Sequence, residues 1–179
     1  MKEISLHILD IVQNSITAGA NLIKIEIAEN TAEDCFTFSV GDNGCGMPPE
    51  VLERVSDPFV TGRSERRVGL GIPLLKHAAE LSGGSISIKS RVGEGTVVFA
   101  RFVHSHIDRQ PLGDMAETLF LIISSNPGID FLYEHHINDG VFAVDTREIK
   151  ATLDGVPITE PAVMFWLSEY LKEGERGIA

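Results

Sequence analysis

The spacing of apolar residues changes period several times along the chain. Ile4, Ile8, Ile11, Val12 and Ile16 recur at helical spacing, which predicts a helix over 4–18 stopped by Gly19. Ile23, Ile25 and Ile27 then alternate with Lys24 and Glu26, and Phe36, Phe38 and Val40 alternate after a polar turn. These predict two strands, 22–28 and 35–40, paired as a hairpin. Pro48 and Pro49 open a short helix that runs through Val55. Residues 56–68 have no period and read as a loop. Ile72, Leu74, Leu75, Ala78, Ala79 and Leu81 return to helical spacing, with Pro73 tolerated in the first turn and Gly83-Gly84 closing the helix. Strands over 85–90 and 96–103 follow, joined by a turn holding Gly93 and Gly95. This order of elements predicts an α+β fold: a two-layer α/β sandwich, with helices on one face of a mostly antiparallel or mixed sheet.

The second half reads as a linker (104–111), a helix over 113–124 and strands over 129–137 and 141–145. Asn138-Asp139-Gly140 is a strong hairpin turn between those strands. A short helix from Thr146 and a last helix from Thr159 or Glu160 complete it. The expected division is a domain of residues 1–103 and a small α+β unit of residues 104–179. A unit that small is marginal alone, so it is expected to pack on the first domain or on a second copy.

Composition narrows the picture. A formal charge of −11 on 179 residues argues against broad binding to nucleic acid or an anionic membrane. The longest apolar run, 119–123, is far too short to span a bilayer, and the N-terminal residues lack a signal-peptide pattern. Two cysteines make no disulfide framework, so a cytoplasmic setting is expected. Positive charge is nevertheless concentrated at Arg63, Arg66 and Arg67, just before the Gly69-x-Gly71 pair. Such a cluster is either a solvated loop or a partner for phosphate.

The candidate chemistry lies in five places. Asp10 and Asn14 are four apart and share a helix face, flanked by His7 and Thr17. On a surface helix they would be unremarkable; facing a pocket, they offer a proton acceptor and a hard oxygen ligand suited to Mg²⁺. Asp42 stands at a strand end before Gly44 and Gly46. That is either an ordinary Asp-Asn-Gly turn or a carboxylate placed to accept from an exocyclic amine. Cys45 between those glycines has no partner placed by sequence. Gly69 and Gly71 ahead of a helix let the backbone approach a phosphate at the helix N-terminus. Phe59 could anchor the loop as a lid, or simply pack in the core. The His-Ser-His and Glu-His-His runs raise metal binding against polar-surface histidines; adjacent histidines on a strand point to opposite faces, so Glu-His-His cannot direct both at one ion.

Taken together, these stretches resemble the ATP-binding domain of the GHKL superfamily, which includes DNA gyrase, its class of heat-shock chaperone, sensor histidine kinases and MutL proteins. LDIVQNSITAGA is similar to the N box, DNGCGM to the G1 box, DPF to the F box, RVGLGI to the G2 box and GEGT to the last glycine turn. The resemblance covers residues 4–103. It implies a Bergerat-type fold with ATP and Mg²⁺ as cofactors. It also implies Asn14 as Mg²⁺ ligand, Asp42 as the adenine-reading carboxylate, and Gly44, Gly46, Phe59, Arg67, Gly69, Leu70, Gly71 and Thr96 around the nucleotide. The G2 region is closest to sensor histidine kinases, whereas the N box is closer to the MutL style. ATP-hydrolysing branches and anti-sigma serine kinases usually carry Glu four residues before the Asn, where this chain has Asp10 as candidate general base. No phosphoacceptor hairpin precedes the first helix, so a protein partner in trans is expected and a homo-oligomer is left open. The implied functions are slow hydrolysis, phosphoryl transfer to a separate protein as a serine or histidine kinase, or ATP-gated binding without turnover.

Overall fold

The computed structural model describes residues 2–55 and 71–178. In chain order the elements are α1 (Ile4–Thr17), β1 (Leu22–Asn30), β2 (Cys35–Asp42), α2 (Pro49–Leu52), α3 (Gly71–Leu81), β3 (Ser85–Arg91), β4 (Gly95–Val103), α4 (Met115–Ser125), β5 (Asp130–Ile137), β6 (Gly140–Asp145), α5 (Thr146–Thr152) and α6 (Pro161–Ile178). The short helix α2 stops three residues before the Val55 that its sequence suggested.

All six strands form one sheet, in the order β3-β4-β2-β1-β5-β6. Neighbours are antiparallel except β1 and β5, which run parallel. The register explains the core. Ile25 is flanked by Val40 and Tyr133, and Ile27 by Phe38 and His135, so one row of buried side chains crosses the sheet. Helices α3, α1, α4 and α6 cover that face, each in contact with the next, and bury their apolar stripes against it. The opposite face carries Lys24, Glu26, Ser39 and His136, with Lys24 Nζ 2.7 Å from Glu26. This is the expected two-layer arrangement with a mixed sheet.

The sheet crosses the division expected after residue 103, because β5 pairs along the whole of β1, from Leu22↔Asp130 to Glu29↔Ile137. Residues 104–111, expected to be a plain linker, are bound at several points together with Leu112. Ser105 hydrogen-bonds Asp34, and the Arg109 guanidinium lies 5.3 Å from the Phe36 ring centre. The carbonyls of Pro111 and Leu112 accept from the N–H groups of Ile4 and Ser5 at 2.9 and 2.8 Å. Glu3 provides no side-chain cap for α1, so this segment satisfies two of the free N–H groups of its first turn.

A polar network lies beneath the junction of β1, β5 and α6. His135 is 2% exposed and sits between Glu175, 2.9 Å from Nδ1, and Glu29, 3.3 Å from Nε2. Glu175 also accepts from the Tyr133 hydroxyl at 2.7 Å, and His104 lies 2.9 Å from Glu29. Burial works against a charged His135, but hydrogen bonds to Glu175 and Glu29 outweigh it and lift its pKa to about 9. His135 is therefore no surface histidine, whereas His136 is on the open face 3.3 Å from Glu134. Among the described residues no group of His, Cys, Asp and Glu is arranged to hold a metal ion.

Candidate nucleotide-binding site

Four elements converge at one end of the sheet: α1, the end of β2, the start of β4 and the start of α3. Asp42 ends β2 directly opposite Thr96 on β4. One Asp42 oxygen accepts from the Ser15 hydroxyl of α1 at 2.6 Å; the other accepts from the Gly44 N–H at 2.8 Å. Ser15 is buried, so this carboxylate has a fixed direction between helix and sheet. Thr96 is positioned too: its hydroxyl is 2.8 Å from that of Ser90, which accepts from the Met47 N–H at 2.8 Å.

The chain after Asp42 is pressed against its neighbours. Gly46 has φ +66, and a Cβ there would run into the Arg91 carbonyl. Gly95 has φ +112, and a Cβ there would run into the Asp42 carbonyl. Both positions require glycine for conformation and for space. The Cys45 N–H donates to the Ala18 carbonyl and the Gly93 N–H to the Cys45 carbonyl, each at 2.9 Å, so this segment is sewn to α1 and to the β3–β4 turn. Cys45 itself is exposed and Cys35 half-buried; both are free thiols.

Asp10 projects from the middle of α1 towards the first residue of α3. A Cβ on Gly71 would collide with its Oδ2, so carboxylate and helix start approach as only glycine permits. That oxygen is buried and has no hydrogen-bond partner among the described residues. Asn14 follows one turn later, half-buried, with Ser15 beside it. A groove of about 510 Å³ between α1 and α4 also reaches Asp10. One turn before Asp10, His7 is buried with its Nε2 2.9 Å from the Gln110 side chain, and burial pushes its pKa down.

The residues read from sequence thus fall into three groups. Asp42, Gly44, Gly46 and Thr96 are gathered into one cluster, tied to α1 through Ser15. Asp10 and Gly71 meet directly, with Asn14 on the helix that joins this pair to the cluster. Phe59, Arg67, Gly69 and Leu70 lie outside the described residues, as do Arg63, Arg66 and the loop expected to close over phosphates. Three positioning residues escaped the sequence reading. Ser15 and Ser90 are small hydroxyls with no motif of their own, although helical spacing places Ser15 on the sheet side of α1. Asn43 accepts from the N–H groups of Asn21 and Leu22 at 3.0 and 3.1 Å, pinning the segment after Asp42 to the start of β1.

This arrangement offers an acceptor for an amine at Asp42, an oxygen ligand at Asn14, a buried carboxylate oxygen at Asp10 without a partner among the described residues, and a helix N-terminus at Gly71. Residues 2–106 match the family model described as histidine kinase-, DNA gyrase B- and HSP90-like ATPase. The chain belongs to this family. Relatives include the histidine protein kinase DivJ of Caulobacter vibrioides, 33% identical over 98 residues that cover 52% of this chain and 16% of that protein. The sensor histidine kinase AruS of Pseudomonas aeruginosa is 29% identical over 54% of this chain and 10% of its own length. The matches therefore take in a small part of either kinase. A crystal structure of the N-terminal domain of a DNA repair protein has the same fold, with a TM-score of 0.53 at 16% identity, over 81% of this chain and 52% of that one. The family match takes in the N-terminal part of the chain, residues 2–106. Among the described residues no helix is long and apolar enough to cross a membrane.

Proposed function

We propose that the chain is an Mg²⁺-ATP-dependent signalling regulator that hydrolyses ATP slowly or passes its terminal phosphoryl group to a protein in trans. Asp42, held by Ser15 and the Gly44 N–H, accepts from the adenine amine, with Thr96 beside it. Asn14 is assigned to the metal, and the N-terminus of α3 at Gly71 to the phosphates. Bound Mg²⁺ would neutralise charge on the phosphates during transfer. Asp10 accepts the proton of the attacking water or hydroxyl. The observation that carries this reading is the buried Oδ2 of Asp10 beside Gly71, which has no hydrogen-bond partner among the described residues, since a base must keep a lone pair free at the reacting end of the site.

A second reading, in which ATP is bound but never turned over and only switches partner binding, is favoured by the shorter reach of Asp relative to the usual Glu. Equilibrium ATP titration and turnover, measured on one sample with Mg²⁺, separate the two. Binding with turnover that Asp10→Asn abolishes supports the base assignment. Binding without turnover, alone or with candidate substrate proteins, supports the switch. If Asp42→Asn leaves ATP affinity unchanged, the pocket assignment is wrong.

A further inference from the structure

Among the described residues two buried side-chain polar atoms lack a hydrogen-bond partner, and both belong to α1: His7 Nδ1 and Asp10 Oδ2. Such atoms are rare in folded proteins, and each asks for a cause. The two residues are three apart, which makes them neighbours on the helix surface. They also sense each other, since the charge of Asp10 favours a protonated His7. Asp10 has a use in the reading above. His7, 2% exposed, has none.

The other ring nitrogen decides what Nδ1 can do. His7 Nε2 is 2.9 Å from Oε1 of Gln110. A carbonyl oxygen only accepts, so Nε2 carries the proton. Burial, the largest influence on the ring, pushes its pKa down and keeps it neutral at pH 7. Nδ1 is therefore a bare lone pair, and Asp10 Oδ2 is another. Neither can donate to the other. What satisfies both is a group with two hydrogens to give. Water is such a group, whereas a serine or threonine hydroxyl has one hydrogen.

We propose that His7 Nδ1 and Asp10 Oδ2 together hold the attacking water, one hydrogen on each, so that His7 is a positioning residue that favours hydrolysis over transfer to a hydroxyl. This rests on the reading of Asp10 as the base. The water oxygen bonds to the terminal phosphorus of ATP, the bond from that phosphorus to the bridging oxygen breaks, and ADP leaves with the electron pair. One water proton passes to Asp10 Oδ2. The other stays on the oxygen that joins the new phosphate, and its hydrogen bond to Nδ1 keeps the water from turning during attack. A hydroxyl in the same place reaches Asp10 but leaves Nδ1 unpaired in a buried site, a disadvantage of roughly ten- to hundredfold.

Two variants separate the ring nitrogens. Asparagine carries its amide atoms on Cγ, where histidine carries Nδ1; glutamine carries them one bond further, where histidine has Nε2. His7→Asn therefore keeps an acceptor for the water and loses Gln110, whereas His7→Gln keeps the Gln110 bond and loses the acceptor. ATP hydrolysis is expected to fall about ten- to hundredfold in His7→Gln and to stay within about threefold of the wild type in His7→Asn. The Kd for ATP, from isothermal titration, stays unchanged in both. The reverse order means that His7 acts only through Gln110 and overturns the proposal. With methanol as competing nucleophile, at a concentration that leaves the fold intact, the wild type is expected to release inorganic phosphate; methyl phosphate formed in proportion to the methanol overturns it too. Nitrogen-15 NMR of the histidine rings in the nucleotide-free full chain needs no turnover, and it decides the matter where a variant fails to fold. The expected proton is on Nε2 of His7. A proton on Nδ1 overturns the proposal, because that nitrogen then donates to Asp10 and cannot accept from water. A wild type that binds ATP without hydrolysing it overturns the proposal and leaves the nucleotide site standing, whereas one that binds no ATP removes both.

Discussion

Asp10 and Gly71 are in a contact that no other residue at position 71 could make: any Cβ there would take the space held by the Asp10 Oδ2. The colliding atom is the end of a side chain, so Gly71→Ala is expected to displace the carboxylate rather than unfold the protein. In an Asp10→Ala background the obstacle is gone, and alanine at the start of α3 gains up to about 1 kcal/mol of helix propensity. Gly71→Ala should therefore destabilise the wild type and reduce its turnover at least tenfold, yet be neutral or stabilising in Asp10→Ala. Urea unfolding of the four proteins of this double-mutant cycle, beside ATP turnover, checks the sign reversal. Additive effects would mean that the two residues do not share the space.

Ser15 makes a similar test for the other half of the site. Its buried hydroxyl donates to Asp42 at 2.6 Å, and Ser15→Ala removes a hydrogen bond to a charged group, worth about 1.5–3 kcal/mol. Part of that loss falls on the fold and part on the aim of the carboxylate. ATP affinity is expected to fall about three- to tenfold, less than for Asp42→Asn, with the circular dichroism spectrum unchanged. Isothermal titration with ATP measures both. Unchanged affinity in Ser15→Ala would separate Ser15 from nucleotide binding.

The fold was readable where one rule governed a stretch. Period-two alternation in β1 and β2 and the helical stripe of α1 specify both element and buried face, and the structure uses the same residues: Ile23, Ile25 and Ile27, then Phe36, Phe38 and Val40. What pattern cannot convey is pairing between distant segments. Nothing local in 130–137 says that it lies parallel to β1, because parallel pairing is set by the crossover through α4 and by the shared core. The role of residues 104–112 was hidden for the same reason: Pro111 and Leu112 act through their carbonyls, which leave no trace in side-chain pattern. In the site, Asp42, Gly44 and Gly46 were named through the resemblance of DNGCGM to a motif, because alone the stretch reads as an ordinary Asp-Asn-Gly turn. Ser15 was not, because a serine on a helix has many ordinary uses.

The β3–β4 turn separates two causes of glycine preference. Gly93 has φ +79 with open space around it, whereas Gly95 has φ +112 and faces the Asp42 carbonyl. Gly93→Ala should cost only the left-handed backbone strain, about 1–2 kcal/mol. Gly95→Ala adds a collision with backbone that cannot step aside and should cost more than about 3 kcal/mol, with loss of ATP binding. Chemical denaturation of both variants checks the ordering; equal costs would mean that the turn can move away from Asp42.

His135 gives the protein a stability that depends on pH from the alkaline side. Its folded pKa of about 9 lies above the ordinary histidine value of 6.5, so the contribution is fully present below the unfolded value and is lost as pH rises through about 9. A shift of this size corresponds to about 3 kcal/mol. Glu29 works in the opposite direction. Its pKa is lowered, first by the hydrogen bond from His135, so its contribution holds above the ordinary carboxylate range and fades as pH falls. The same contacts underlie both effects, so the two contributions do not add. Unfolding free energy should therefore decline between about pH 7 and pH 9.5 in the wild type. In His135→Gln the protein is less stable at pH 7, because Glu29 and Glu175 lose their shared cation, and the alkaline decline flattens. Urea denaturation at a series of pH values, with the amide of His135 followed by hydrogen exchange, measures this. A wild-type curve flat from pH 7 to 9.5 would mean that His135 is neutral in the folded state and that α6 is held to the sheet by packing alone.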